Sequence, residues 1–257
     1  MQSNTSIYIK GQSFFELSVT DSTNNHALNV IQEKMAAHGH TFFAHEQLSG
    51  KGQHGKQWKT EKSSNIILSS ILDVSFLPAT KQFQLIATMA VAVHEFFRKY
   101  TIDDAFIKWP NDIYWNNRKA GGILIETASP IPYSSISAWK WAVVGIGINI
   151  NQVIFPDNIP NPVSLKQITG KDYDPVMLAK ELCGNIELWF NKLQSEPFEP
   201  ILQYYNQYLY KKNCTVKLRK GNIAFECTIE KVDDQGYLHI SGASTDKFSF
   251  GEVQWIV

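Results

Sequence analysis

The stretch Lys108-Trp-Pro-Asn-Asp-Ile-Tyr-Trp-Asn-Asn-Arg-Lys-Ala-Gly-Gly-Ile-Leu-Ile-Glu126 sets two lysines, an arginine, an Asn-Asp pair and a Gly-Gly pair among Ile, Trp and Leu residues of the kind that build strands. An unpaired charge buried in such a core costs roughly several kcal/mol, so the cluster persists only with a partner or a ligand. The segment is therefore the first place to look for chemistry. Within and around it, residues 106–108, 113–115, 120–125 and 140–150 read as strands.

Working upstream, 14–19 reads as a strand, and Asp21 or Ser22 can cap a helix over 24–37. A strand over 41–45 leads into a glycine-rich loop, and 65–72 is a short strand of the buried type. Phe83, Ile86, Ala90, His94 and Phe97 recur at helical spacing and predict a helix over 81–99. Few helices among this many strands indicate an α+β fold, a mixed sheet with helices on one face. Downstream, Asp174-Pro175 is a cap followed by proline at the first helical position, and Leu178, Leu182, Ile186, Trp189 and Leu193 mark the buried stripe of that helix. A second helical stretch ends near Lys211, and the tyrosines at 204, 205, 208 and 210 read as packing between helix and the next unit. From 214 to 257 short strands alternate with turn signals at Gly236 and Gly242, which suits a small five-stranded, SH3-like barrel. The expected organisation is a unit over 1–211 followed by a small one over 212–257.

With 257 residues, 44% hydrophobic and 19% charged, the composition is that of a globular protein and not of a disordered one. The 24 basic and 24 acidic residues balance, which argues against a nucleic-acid partner, since phosphate-binding proteins are usually basic. Cys183, Cys214 and Cys227 form no C-x-x-C pair, the histidines show no H-E-x-x-H spacing, and no dedicated metal site or disulfide framework is expected. The N-terminus lacks the apolar stretch of a signal peptide, and no run of about 18 apolar residues occurs, so a cytoplasmic protein off the membrane is expected.

The loop Gly50-Lys-Gly-Gln-His-Gly-Lys-Gln-Trp58 carries both G-x-G-x-x-G and most of a Walker A pattern. Both motifs need a helix that starts at the loop, because the helix N-terminus holds the phosphate. Here the loop leads into the strand-like run at 65–72, and Gln57 replaces the hydroxyl that a P-loop offers to magnesium. What remains is a glycine loop with lysines able to hold an anion and an aromatic able to stack on a base.

Asp21-Ser22-Thr23-Asn24, the loop 47–58, the stretch 108–126 and Gly145-Ile-Gly-Ile-Asn149 together resemble the biotin–protein ligases, in that family's order and spacing over nearly the whole chain. The combination K-W-P-N-D with R-K-x-x-G-I-L-x-E is specific; the glycine loop alone is not. The resemblance implies a catalytic domain like that of class II aminoacyl-tRNA synthetases with a C-terminal barrel. It also implies formation of biotinyl-5′-AMP from biotin and ATP, with Mg2+ carried by the nucleotide, and transfer to a lysine of a biotin carboxyl carrier domain. Lys119 matches the family's central lysine, and Asp112 a carboxylate suited to the incoming acceptor amine. Ser22, Thr23, Asn24, Gln47, Gly50, Lys51 and Gly122 match biotin-binding positions. Lys51, Gln53, Lys56, Trp58, Asn111, Ile148 and Asn149 match positions around ATP, with Lys119 shared between the two reactants. The family often carries arginine where this chain has Gln53, which implies weaker retention of the adenylate. The pattern begins near residue 7, so a monofunctional enzyme without an N-terminal DNA-binding domain is expected; the family includes monomers and homodimers. The rival readings are a lipoate or octanoate ligase, whose arginine- and glycine-rich motif is not found, and a non-catalytic biotin sensor, against which Lys119 argues.

Overall fold

A computed structural model of the chain describes residues 7–9, 12–101, 104–128, 139–157 and 159–256. In chain order the larger part comprises β1 (Ile7–Ile9), β2 (Gln12–Leu17), α1 (Thr23–Gln32), β3 (Thr41–Ala44), β4 (Ile66–Asp73), α2 (Gln82–Thr101), β5 (Ala105–Lys108), β6 (Asp112–Trp115), β7 (Arg118–Ala128), β8 (Trp141–Ile148), α3 (Leu165–Thr169), α4 (Pro175–Ser195) and α5 (Glu199–Gln207). The eight strands form one sheet in the order β1-β2-β3-β4-β8-β7-β6-β5. Among the described strands only β2 and β3 pair in parallel, joined by the α1 crossover, so the sheet is mixed as expected.

The strands have two distinct faces, because side chains alternate along each one. Along β8, Ala142, Val144, Ile146 and Ile148 join β4's Ile66, Leu68 and Leu72 in the main core beneath α2 and α4. Val143, on the opposite face, joins Ile71 and Phe42 under Ala27 and Ile31 of α1. The expectation of helices on one face is thus corrected: α2, α4 and α5 form one layer, and α1 alone lies on the other side. That leaves the rest of the second face open beside α1.

Local chemistry accounts for the element ends. Asp174 Oδ1 accepts from the amides of Val176 and Met177 at 2.9 and 3.2 Å, the expected cap of α4. The helix expected over 24–37 stops at Gln32, where Lys34 takes φ +61°. Residues 32–35 are exposed, Met35 by 59%, and only Ala36 returns to the core under α1. The helix α2 is buried almost all round, wider than its predicted stripe, because α4 and α5 cover the side turned away from the sheet. The short helix α3, not expected from the sequence, is closed by a capping box between Ser164 and Gln167.

The C-terminal part comprises β9 (Thr215–Lys220), β10 (Ile223–Val232), β11 (Leu238–Ser241), β12 (Lys247–Phe248) and β13 (Gln254–Ile256), an antiparallel sheet in the order β12-β11-β10-β9-β13. Leu218, Cys227, Ile229, Leu238, Ile240 and Phe248 are buried between its strands and the rest of the molecule. Five strands form as expected, but the sheet is open: among the described residues β12 and β13 share no ladder. With two residues, β12 is too short to reach across. Two links tie this part to the larger sheet. Trp109 Nε1 donates to Gly236 O at 3.0 Å, and residues 208–210 pair with Ile107 through two backbone bonds of 2.8 Å, covering the edge strand β5. Among the described residues no helix is long and apolar enough to cross a membrane.

Candidate active site

The open half of the second face has a floor of glycines. Gly145 and Gly147 of β8 and Gly122 of β7 point to this side, next to one another across the ladder in which Gly122 pairs with Gly147. Each glycine is needed for space. A Cβ at Gly145 would overlap the Asn24 amide, one at Gly147 would stand 2.6 Å from Trp58 Nε1, and one at Gly122 would stand 3.1 Å from Asp112 Oδ1 and 3.4 Å from Lys119 Nζ. The result is a trough with Asn24 at one end, Lys119 and Asp112 at the other, and Trp58 across the middle.

A β-bulge turns Lys119 into this trough. The register between β6 and β7 shifts between Ile113 and Tyr114: Ile113 pairs with Gly121 but Tyr114 pairs with Lys119, leaving Ala120 unpaired. Without the extra residue, Lys119 and Gly122, three apart, would face opposite sides of the sheet. With it, the Lys119 side chain lies over Gly122, while Ala120 is buried in the main core. The backbone of Lys119 is fixed by residues 161–163: its N–H donates to Asn161 O at 2.7 Å, and its carbonyl accepts from Val163 at 2.9 Å. Arg118 secures the same segment through Nε and Nη2 to Pro162 O. Lys119 Nζ then donates to Asp112 Oδ1 at 2.6 Å and lies 5.8 Å from the Trp58 ring centroid.

At the other end the polar lining is one connected chain. Gln47 Oε1 accepts from the Thr23 amide at 2.7 Å and from Thr23 Oγ1 at 3.1 Å. Ser69 Oγ lies 2.7 Å from Thr23 Oγ1 and 2.5 Å from Asn24 Oδ1. Asn24 Nδ2 donates to Glu126 Oε2 at 2.7 Å, and Glu126 Oε1 receives Lys51 Nζ at 3.2 Å. Ser22 stands at the N-cap of α1, buried, but makes no side-chain cap bond, so capping does not account for its hydroxyl.

The glycine loop is a hairpin, not a helix start. Lys51 bridges Gln57, Trp58 N donates to Gly50 O at 2.8 Å, and Gly52 N donates to Lys56 O at 2.7 Å. Its tip is a single turn over Gln53–Gly55, with Gly55 at φ +74°, a conformation that favours glycine. Gln53 and Lys56 sit on this tip, and Lys56 is exposed. Gly50 packs under the Trp58 carbonyl, where a Cβ would also stand 2.8 Å from Gln47 Nε2.

The structure therefore gathers Thr23, Asn24, Gln47, Lys51, Trp58, Asp112, Lys119 and Gly122 around one trough. At three further expected positions the side chains are engaged within the fold. Asn111 Nδ2 donates to Ile123 O, tying the Lys108–Asp112 turn to β7. Asn149 Nδ2 donates to Val163 O at 3.2 Å, and the Ile148 side chain is buried on the helical face. Lys108 and Asp112, opposite each other on the hairpin, form no ion pair: Asp112 takes Lys119, and Lys108 Nζ donates to Tyr114 OH at 3.0 Å. Ser69 and Glu126 join the site without a role expected from the sequence. Ser69 carries no motif signal, whereas Glu126 closes the quoted stretch and was legible as a carboxylate among strand residues.

A narrow glycine floor, a ring of amides and hydroxyls, and a paired ammonium at its end make an arrangement able to hydrogen-bond a small polar ring and to hold an anionic group by charge. A family model described as the biotin/lipoate A/B protein ligase family matches residues 16–149, and the chain belongs to that family. It is 28% identical over 233 residues to the bifunctional ligase/repressor BirA of Bacillus subtilis (strain 168), covering 90% of this chain and 70% of that protein. It is 27% identical over 231 residues to the biotin–[acetyl-CoA-carboxylase] ligase of Paracoccus denitrificans, covering 88% and 93%. Among solved structures, the biotin protein ligase of Aquifex aeolicus in complex with biotin and ATP has the same fold, with a TM-score of 0.77 at 24% identity over 95% of this chain and 99% of that one.

Proposed function

We propose that this chain activates biotin with ATP and passes the biotinyl group to a lysine of a biotin carboxyl carrier domain. In the first half-reaction a biotin carboxylate oxygen attacks the α-phosphorus of ATP, the bond to the β-phosphate breaks, and pyrophosphate leaves. Both reactants are anionic, so a cation must stand where they meet. The observation that carries the reading is Lys119, turned by the bulge onto the glycine floor at the end of the polar chain Gln47–Thr23–Ser69–Asn24. A donor preorganised in this way is worth about 10²–10³ in rate.

Thr23, Gln47 and Asn24, with Ser22 beside them, are assigned to biotin's ureido ring. Gly122 leaves room for the chain, and Gly50 and Lys51 serve as the loop's backbone and cation. Lys56, Gln53 and Trp58 from the hairpin, with Asn111 and the backbone at Ile148 and Asn149, are assigned to the nucleotide. Among the described residues no three or more His, Cys, Asp or Glu cluster as a metal site. Asp112 and the Asn111 amide are too sparse a donor set to hold Mg2+ alone, and we assign the ion to the ATP phosphates. In the second half-reaction the acceptor amine attacks the acyl carbon and AMP departs. Asp112 takes the proton once Lys119 has turned to the phosphate.

The same reading divides the chain into a catalytic unit over 1–211, of the class II synthetase type, and an SH3-like unit over 212–257. Buried residues contributed by β9, β10, β11 and β12 of one antiparallel sheet support the latter. Mass spectrometry of a carrier domain after incubation with the protein, biotin and MgATP tests the proposal. A carrier heavier by one biotinyl group is expected. An unmodified carrier, or pyrophosphate exchange driven by lipoate and not biotin, would overturn it.

A further inference from the structure

Lys108 is a buried cation for which the reaction just described has no use. Among the described residues it pairs with no carboxylate, and its ammonium donates to Tyr114 OH at 3.0 Å. Instead it is caged by aromatic faces. Its Nζ lies 4.5 Å from the ring centroid of Tyr114, 5.2 Å from Trp255 and 6.0 Å from Tyr210. The three rings touch in sequence, Tyr114 to Tyr210 at 5.0 Å and Tyr210 to Trp255 at 5.7 Å between centroids. They come from three places: β6, the 208–210 segment that covers β5, and β13 of the C-terminal sheet. An ammonium over π-faces is attracted by the ring quadrupoles, which offsets part of the cost of burying it without a counter-ion.

The position of the cage matters. Lys108 pairs across the hairpin with Asp112, and Tyr114 is the residue opposite Lys119 at the bulge. The ammonium thus grips the one strand residue whose register places Lys119 in the trough. The charged groups felt at Lys108 are those of the site, Asp112, Lys119 and Lys56. We propose that Lys108 is a positioning residue for the adenylation half-reaction: its caged ammonium anchors the Tyr114 side of the bulge that presents Lys119 and adds positive charge behind the Asp112–Lys119 pair. Because Trp255 closes the cage, the C-terminal sheet then takes part in the chemistry of the larger sheet without touching a reactant.

Burial, the leading cause, together with repulsion from Lys119 and Lys56 and against the pull of Asp112, lowers the Lys108 ammonium to about 8. Its charge is present below that pH and lost above it. The inference rests on the ligase reading, so the test is single-turnover formation of biotinyl-5′-AMP from neutral to alkaline pH. That assay leaves out the acceptor lysine, which has its own titration. The wild type is expected to show a falling limb near pH 8. Lys108→Met is expected to be slower at neutral pH, by up to about 100-fold for a displaced catalytic group, and to lack the limb. Lys108→Arg should keep most of the rate and also lose the limb, because a guanidinium does not titrate there. Trp255→Leu, which opens the cage to water, should move the limb to higher pH. Wild-type rate and profile in Lys108→Met would overturn the proposal. If that variant does not fold, an unmoved limb in both Lys108→Arg and Trp255→Leu does so. Absence of adenylate from the wild type would instead remove the ligase reading, and this inference with it.

Discussion

Asp112 Oδ1 and Lys119 Nζ lie 2.6 Å apart, so the ammonium assigned to two incoming anions is held by the carboxylate assigned to the incoming amine. Both side chains are about a quarter exposed, so the pair opens to the trough and not to the core. On the proposed mechanism the contact would hold the cation in place and tie the two half-reactions together, with Asp112 freed as a base when Lys119 turns to the phosphate. Lys119→Ala should reduce adenylate formation by about 10²–10³. Asp112→Asn should spare that step and depress transfer to the carrier. Assaying the half-reactions separately checks both; equal losses in the two steps for Asp112→Asn would remove its role as the base.

The glycine floor predicts a fluorescence result. Gly147→Ala places a Cβ 2.6 Å from Trp58 Nε1 and forces the indole off the sheet. Tryptophan emission should shift to the red, and the KM values for biotin and ATP should rise, while the thermal midpoint changes little because the main core lies on the other face. Unchanged emission would mean that the trough is not where Trp58 packs in solution.

Glu126 holds both α1, through Asn24, and the hairpin, through Lys51. The Lys51 pair is partly exposed and worth about 0–1 kcal/mol. Glu126→Gln should therefore leave global stability nearly intact but free the loop. Limited proteolysis between residues 50 and 58 should be faster without ligand, and biotin with ATP should restore protection. Cleavage at the wild-type rate would show that this carboxylate does not restrain the hairpin.

Gln53 occupies the hairpin tip without a charge to offer the adenylate. Gln53→Arg is expected to slow release of biotinyl-5′-AMP relative to the wild type. A filter-binding chase measures this, and equal release rates would count against any retaining role for the position.

His94 gives a pH dependence that owes nothing to the site. It lies buried between Ala105 O, 2.9 Å from Nε2, and Tyr204 OH, and burial lowers it to about 4 from 6.5. Between those values the unfolded chain takes up a proton that the folded one refuses. Stability is therefore full above about pH 6.5 and falls as pH drops towards 4, by at most about 3 kcal/mol. Melting curves at descending pH should show the fall, and His94→Gln should flatten it. An equally steep fall in the variant would assign it to other groups.

Much of this molecule was legible in one dimension. The Asp174-Pro175 cap, the buried stripe of α4, the strands around the 108–126 stretch and the rejection of a P-loop all follow from local rules: capping, side-chain period, and the need for a helix behind a phosphate loop. The motif residues Thr23, Gln47, Asp112 and Lys119 were readable because they sit in short, dense patterns. Ser69 was not, because a serine in a strand of buried type looks the same whether it faces the core or a ligand. The helix expected over 24–37 ends at Gln32, where residues 32–35 are exposed and Lys34 takes a left-handed backbone, neither of which the helical period shows.

From the sequence alone came the kinds of element, their order and the polar cluster that had to be satisfied. The tertiary structure decided which residues satisfy it. Strand register and burial depend on partners tens of residues away: the unpaired Ala120 that turns Lys119 over, the Glu126 carboxylate that meets both Asn24 and Lys51, and the Trp255 ring that closes on Lys108. No local window contains those distances, because side-chain facing flips with a single residue of register and a cage exists only where separate strands converge.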